Sequence, residues 1–217
     1  MRLTDLDEGI NDPHIFKAVF MAGSPGSGKS TIAKKLFSHT GLKTLNVDTF
    51  WDLYNKTKKP NGNYDKYWSL YQKQEKSFLD GRLGLVLDGS SRHPDVMARV
   101  KQKLEDMGYD CAMVFVNTSL ETSLARVQAR AEQTGRHVDP DYVEMSWNEV
   151  QTGLGKLQGM FGRNFLIVDN DTNANLSYAG KSLDRWLERP PTSTVAREWL
   201  QSRQRAQSGV PDAAMGQ

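Results

Sequence analysis

The chain has 217 residues, a formal net charge of +2, a hydrophobic content of 38% and a single cysteine. The length predicts one domain with a sizeable core, and the small net charge leaves the partners open, since any basic site must be local. One cysteine excludes an intrachain disulfide, no apolar run is long enough to span a bilayer, and the polar N-terminus is unlike a signal peptide. We therefore expect a cytoplasmic protein without a membrane partner.

Composition divides the chain into three parts. Residues 1–14 form a polar lead-in, residues 15–188 alternate apolar runs with helix-type periodicity, and residues 189–217 are rich in Pro, Ser, Thr and Gln. We expect the middle part to be the domain and the last part to be a partly disordered tail, within which residues 194–206 could form a helix.

The first predicted strand, at residues 15–22, leads into the sequence GSPGSGKST and then into a helix that ends near residue 39. This is the phosphate-loop pattern G-x-x-x-x-G-K-[ST] in the strand–loop–helix context that it requires. Glycines let backbone N–H groups approach an anion, and the start of the helix adds further donors. The pattern therefore predicts ATP binding by Gly23, Ser24, Pro25, Gly26, Ser27, Gly28, Lys29, Ser30 and Thr31.

Two residues of the phosphate loop have additional expected roles. Lys29 supplies a mobile positive charge for the outer phosphates of ATP. Ser30 offers a hydroxyl group to Mg²⁺, which prefers oxygen ligands and keeps several water molecules.

Acidic residues follow the second and third predicted strands, at residues 43–47 and 83–87. Asp88 is expected near Mg²⁺, and a turn or helix-cap role is the alternative. Asp48 can orient an acceptor hydroxyl and accept its proton, or it can cap the helix that follows, and its position alone does not decide between the two.

An aromatic and lysine-rich stretch follows Asp48, within an expected acceptor-side insert of about residues 51–80. Residues 51–68 contain five aromatic residues and four lysines, and a helix is predicted over 67–79. This mixture suits stacking on bases and contact with phosphates, or equally a small subdomain whose aromatic rings pack together. In either case the stretch shapes the acceptor pocket, and Trp51 is a candidate acceptor contact.

The segment after Asp88 precedes a helix that begins at Pro94 and ends near residue 107, and a fourth strand is predicted at 111–116. Ser90 and Arg92 are candidate acceptor contacts. A salt bridge at the start of the helix is the alternative for Arg92.

Three arginines flank a break between two predicted helices, at 120–132 and from Pro140 to about 157. Arg126 and Arg130 are four residues apart and share one helix face, and Arg136 lies in the break. Guanidinium groups can clamp phosphoryl oxygens, so these residues predict a helical lid over about residues 124–140. The alternative is a solvated basic face in which Arg126 contacts Glu121 or Thr122.

A fifth strand at 165–168 and a helix at 175–188 complete the pattern, in which strands alternate with helices five times. This predicts the α/β class, with three layers and a five-stranded parallel sheet that helices cover on both faces. Ligands of such sheets bind beyond the carboxyl ends of the strands, where the sequence places Gly23, Asp48, Asp88, Asn117 and Asp169.

These segments together resemble P-loop kinases of the zeta-toxin and polynucleotide-kinase type. The matching segments are GSPGSGKS, NVDTF, LVLDGSSR and LARVQARAEQTGRHV, within about residues 15–170. The resemblance implies a P-loop NTPase fold with Asp48 as general base, and with Arg126, Arg130 and Arg136 in the lid. One departure is Asp88, because zeta toxins typically have glutamate at that strand end.

The resemblance implies an ATP- and Mg²⁺-dependent kinase that transfers the γ-phosphate to a hydroxyl group. The first expectation for the acceptor is a nucleic acid or nucleotide. Related bacteriophage kinases act on 5-hydroxymethyluracil in DNA. By this resemblance, the chain would take part in DNA base hypermodification and would act in the host cytoplasm. The alternatives are a zeta-toxin-like kinase for a sugar nucleotide or nucleoside, and a non-catalytic ATP-binding regulatory module.

Overall fold

The computed structural model describes residues 10–46, 64–89, 92–135, 137–172 and 174–207. The strands in these ranges are β1 (Lys17–Ala22), β2 (Lys43–Leu45), β3 (Leu85–Asp88), β4 (Asp110–Asn117) and β5 (Phe165–Asp169). The helices are α1 (Lys29–Phe37), α2 (Tyr64–Asp80), α3 (Pro94–Asp106), α4 (Leu120–Thr134), α5 (Pro140–Phe161), α6 (Ser177–Leu187) and α7 (Thr194–Gln207). None of these helices is long and apolar enough to cross a membrane.

The five strands form one parallel sheet in the order β2-β3-β1-β4-β5. Strand β1 lies at the centre, and the chain builds the sheet first on one side of β1 and then on the other. The predicted α/β class and five-stranded parallel sheet are confirmed. The crevice at which the strand order reverses therefore lies at the carboxyl end of β1.

The central strand is buried along its whole length, and all of its residues after Lys17 are apolar, because both faces of the sheet are covered. Alternate residues point to opposite faces of a strand, and all six residues of β1 are buried. Phe20 and Ala22 belong to a core cluster on one face, and Val19 and Met21 belong to a second cluster on the other face.

The two clusters identify the helices that cover each face. Buried residues of α2, α3, α5 and α7 belong to the first cluster, and buried residues of α1 and α6 belong to the second. Helix α7 contributes Ala196, which is fully buried, and Trp199, which packs edge-on against Phe16 at a ring distance of 5.4 Å. Residues 194–207, which composition assigns to a tail, therefore form a helix that completes the core.

A buried ion pair joins the amino ends of the two central strands. Lys17 is 1% exposed, and its Nζ donates to Asp110 Oδ2 at 2.7 Å and lies 4.9 Å from the ring centroid of Trp186. Asp110 also accepts hydrogen bonds from the backbone N–H and the hydroxyl group of Thr192. One carboxylate thus neutralises a buried lysine and holds the segment that precedes α7.

We predict that Asp110→Asn lowers the free energy of unfolding by about 3–5 kcal/mol, because the change leaves the buried Lys17 ammonium without its counter-charge. Urea denaturation measures this loss. The control is Lys76→Ala, which breaks the exposed Lys76–Asp80 pair on α2 and should cost less than about 1 kcal/mol. Equal effects of the two substitutions would contradict the role given to Asp110.

Candidate active site

The phosphate loop leaves β1 so close to its neighbours that three of its positions favour glycine. Gly23, Gly26 and Gly28 have φ angles of +146°, +80° and +88°. A Cβ atom at these positions would lie 2.6 Å from Val116 O, 2.3 Å from Ser123 O and 2.5 Å from Asn170 Nδ2, respectively. Positive φ angles therefore favour glycine at all three positions, and at Gly23 and Gly26 backbone oxygens also leave no space for a side chain.

Side chains from three other segments hold the loop in this shape. Ser24 Oγ lies 3.1 Å from Ser123 Oγ in a buried hydrogen bond. The carbonyl oxygen of Ser27 accepts hydrogen bonds from Asn170 Nδ2 at 2.7 Å and from Thr118 Oγ1 at 3.4 Å. Thr118 and Asn170 directly follow β4 and β5. Because ligands of parallel sheets bind at the strand ends, this position could have indicated Thr118 and Asn170 from the sequence. No pattern in the sequence pointed to Ser123.

The start of α1 presents an open anion site. Gly28 is its N-cap, makes no side-chain capping bond, and no acidic residue lies in the first turn. Lys29 Nζ donates to the carbonyl oxygens of Gly23 and Ser24 at 2.8 and 2.9 Å, so the ammonium group is folded back on the loop. Helix N–H groups, the helix dipole and this charge together favour a bound phosphate.

Asp88 lies beside the loop because β3 pairs with β1, with Asp88 opposite Met21. Its Oδ2 atom accepts hydrogen bonds from Ser30 Oγ at 3.0 Å and from Asn46 Nδ2 at 2.9 Å. A hydroxyl and a carboxylate oxygen side by side fit Mg²⁺, which takes its remaining ligands from phosphate and water. Among the described residues, no three His, Cys, Asp or Glu side chains could hold a metal ion by themselves.

Arg126 lies over the first turn of α1. Its Nη2 donates to the backbone oxygen of Asp171 at 3.2 Å, and its Nη1 is buried without a hydrogen-bond partner in the described part of the chain. Nη1 lies 4.0 Å from where a Cβ atom on Gly28 would stand. The contacts expected as the alternative, with Glu121 or Thr122, are not those that its side chain makes.

Arg130 lies one turn further along α4, and its side chain is exposed. Helices α4 and α5 are separated at residues 135–139, where the break between the two helices was expected. The lid role of Arg130 stays a prediction.

Asp171, which sequence reasoning missed, joins the start of α4 to the loop after β5. Its Oδ1 accepts hydrogen bonds from the backbone N–H and the hydroxyl group of Ser119, at 2.7 and 2.8 Å. These bonds, the backbone one foremost, lower the pKa of the Asp171 carboxyl, and the charge of Arg126 adds a small effect. The carboxylate is therefore ionised at neutral pH and fixes the segment that binds Arg126.

Arg92 contacts α5 through several of its guanidinium atoms. Nε lies 3.1 Å from Glu149 Oε2, Nη1 donates to the buried hydroxyl of Ser146 at 3.1 Å, and the group lies over the Tyr142 ring at 5.0 Å. An ion pair was the expected alternative for Arg92, but its partner lies in α5 and not in the helix that Arg92 precedes. The role in acceptor binding stays a prediction.

Four expected site residues lie outside the described residues: Asp48, Trp51, Ser90 and Arg136. Most of the aromatic and lysine-rich stretch also lies outside them. At its end, Trp68 stacks on Tyr71 of the same helix with ring centroids 5.3 Å apart, and its side chain is exposed.

Comparisons with known proteins agree with this fold. A family model described as zeta toxin matches residues 6–181. The fold is similar to a chain of the PezAT toxin–antitoxin system of Streptococcus pneumoniae, with a TM-score of 0.54 and 21% identity over 95% of this chain and 90% of that one. It is also similar to a chain of the Pnkp1/Rnl/Hen1 RNA repair complex, with a TM-score of 0.54 and 21% identity over 67% of this chain but 47% of that one.

A third similar structure is AvrRxo1-ORF1:AvrRxo1-ORF2 with ATP, with a TM-score of 0.56 and 13% identity over 87% of this chain and 71% of that one. At these sequence identities, the likeness to solved structures shows a shared fold. No curated protein sequence matches the chain.

We predict that Gly26→Ala lowers the free energy of unfolding by at least about 1 kcal/mol and weakens ADP binding, because the added methyl group meets Ser123 O and φ is positive. The matched control is Gly155→Ala in α5, where nothing lies within 4 Å of the new atom. The free energy of unfolding of the control should rise by about 0.5–1 kcal/mol, and its ADP binding should not change. Thermal melts and calorimetric titration with ADP measure both quantities, and similar results for the two variants would contradict the close packing of the loop.

Proposed function

Because the chain belongs to the zeta toxin family, we propose that it is an ATP-dependent kinase that transfers the γ-phosphoryl group to an alcohol hydroxyl. The observation that carries this proposal is the meeting of Ser30 and Asp88 at the open start of α1, at 3.0 Å. A hydroxyl and a carboxylate beside a phosphate loop are the protein ligands that a nucleotide-bound Mg²⁺ needs.

ATP would lie along residues 23–31, with its phosphates bound by backbone N–H groups and by the ammonium group of Lys29. Ser30 and Asp88 would hold Mg²⁺, which neutralises part of the phosphate charge when it is bound. The three loop glycines support this placement. A Cβ atom at any of them would lie within 2.6 Å of a neighbouring protein atom, so glycine at these positions lets the loop keep the shape that binds phosphate.

In the proposed transfer, the acceptor oxygen bonds to the γ-phosphorus as the bond to the β–γ bridging oxygen breaks and ADP leaves. The acceptor proton passes to the carboxylate of Asp48, which acts as general base. Support comes from Asn46, two residues earlier, whose bond to Asp88 keeps the end of β2 beside the loop. Asp48 therefore follows a segment that reaches the same edge of the sheet.

Arg126 is proposed to bind the transferred phosphoryl group. Its buried Nη1 has no hydrogen-bond partner among the described residues, and a buried donor without a partner is costly, so an incoming phosphate oxygen would satisfy it. Arg130 and Arg136 would complete the lid and exclude water during transfer.

For the acceptor, we propose a hydroxyl on a nucleic acid or nucleotide, with 5-hydroxymethyluracil in phage DNA as the most specific candidate. The aromatic and lysine-rich composition of residues 51–68 supports it, with Trp51, Ser90 and Arg92 as acceptor contacts. Family membership is the observation that favours a second candidate, a sugar nucleotide or nucleoside.

Labelled ATP incubated with a panel of acceptors tests the proposal. We expect label on DNA that contains 5-hydroxymethyluracil, or on 5′-hydroxyl ends, and none on the same duplex with thymine and blocked ends. Label confined to nucleosides or sugar nucleotides would establish the second candidate. Slow ATP hydrolysis with every acceptor would instead indicate a non-catalytic ATP-binding module.

Two isosteric substitutions separate the proposed base from the proposed metal ligand. Asp48→Asn should lower kcat about 10²- to 10⁴-fold with little change in ATP affinity, because a general base acts on the acceptor. Asp88→Asn should weaken ATP binding in the presence of Mg²⁺ and raise the Mg²⁺ concentration needed for transfer. Transfer rates and ATP titrations at several Mg²⁺ concentrations check both, and unchanged transfer by the first variant would remove Asp48 from the mechanism.

A further inference from the structure

A cleft of about 310 Å³ lies between the sheet and α6, away from the phosphate loop. Its floor is apolar and includes Ala112 of β4 and Trp186 of α6. Three exposed arginines, Arg163, Arg185 and Arg189, also line it. Ligand sites in proteins combine such an apolar floor with a few polar groups, and this volume lies at the lower end of their usual range of about 300–1,000 Å³.

The three arginines are exposed and form no ion pair with a carboxylate in the described part of the chain. Arg185 uses Nε to donate to the backbone oxygen of Lys181 at 3.1 Å, which orients its two Nη groups without neutralising the charge. Three positive charges around one cleft, with no counter-charge in contact, favour an anionic ligand. Guanidinium groups in particular bind phosphate oxygens through paired hydrogen bonds.

The cleft is distinct from the proposed ATP site. Ala112 pairs with Val19 in the sheet, and Gly23 lies four residues further along the chain, which corresponds to about 13 Å at the rise of a strand. Arg163 lies in the turn before β5, at the end of that strand opposite Asp169. A ligand in the cleft would therefore leave the phosphate loop accessible.

An aromatic residue stands at the rim beside the arginines. Tyr178 is 72% exposed, the highest value among the exposed large hydrophobic residues of the described chain, although it lines the cleft. An exposed aromatic ring next to phosphate-binding groups suits stacking on a base. The hydroxyl of Ser182 adds a neutral hydrogen-bonding group, and so does the amide oxygen of Asn164, whose Nδ2 donates to the carbonyl oxygen of Cys111 at 3.2 Å.

From these features, we infer that the cleft is a second nucleotide site, which takes one nucleoside phosphate. Arg163, Arg185 and Arg189 bind the phosphate, and the base lies between the apolar floor and Tyr178. The ligand is either a free nucleotide or one nucleotide unit of a nucleic acid, since both present the same phosphate and base. This site does not depend on the proposed kinase activity.

Equilibrium dialysis with labelled ADP and no acceptor tests the inference on the full chain. We expect about two ADP molecules per wild-type chain and one per chain of Arg163→Glu/Arg189→Glu, whose affinity at the cleft should fall at least about tenfold. Lys29→Ala should lose the phosphate-loop site and keep the cleft site. The charge-matched control is Arg99→Glu/Arg197→Glu, with two exposed arginines on helices of the other sheet face, and it should bind like the wild type.

Undiminished ADP binding by Arg163→Glu/Arg189→Glu would overturn the inference, as would a single wild-type site that Lys29→Ala abolishes. If Lys29→Ala did not reduce ADP binding, the result would contradict the proposed ATP site in the phosphate loop and not the cleft site. Thermal melts of each variant check that the fold is retained. Within Lys29→Ala, displacement of ADP by a single-stranded decanucleotide identifies the ligand as part of a nucleic acid, and lack of displacement identifies a free nucleotide.

Discussion

The candidate active site depends on the close approach of a short loop to the ends of neighbouring strands. The carbonyl oxygens of Val116 and Ser123 occupy the space where side chains of Gly23 and Gly26 would begin. These contacts limit how far the loop can move toward β4 and α4, and within the loop the N–H of Ser27 donates to the carbonyl oxygen of Ser24 at 3.2 Å. Ser24 is held through Ser123, so the loop is shaped by α4 as well as by its own sequence. Any change in how α4 packs therefore reaches the phosphate site.

Parallel pairing explains how residues far apart in sequence meet around this loop. Register sets Asp88 opposite Met21 and brings Asn46 within 2.9 Å of the Asp88 carboxylate. The ends of β4 and β5, on the other side of β1, supply Thr118 and Asn170 to the carbonyl oxygen of Ser27. Residues at the ends of all five strands thus meet around one site.

Much of the fold could be predicted because its strands are continuous apolar runs that end in polar residues. The phosphate loop and the position of Asp88 followed from local pattern, and two helices, one ending at Thr134 and the next beginning at Pro140, lie on either side of the expected break. Contacts that depend on packing between distant segments could not be predicted. Arg92 is held by α5 through Glu149, and Asp171 reaches Ser119 across the sheet edge, although neither pair has a signature in sequence. The role of Asp48 as base stays a prediction.

The contact between Trp199 and Phe16 places the last helix against the residue that precedes the first strand. Together with the bonds between Thr192 and Asp110, it ties strands β1 and β4 to a segment 82 residues beyond Asp110 in the chain. Contacts between segments so far apart in sequence require a long stretch of intervening chain to close first. Docking of α7 is therefore expected to be a slow step of folding.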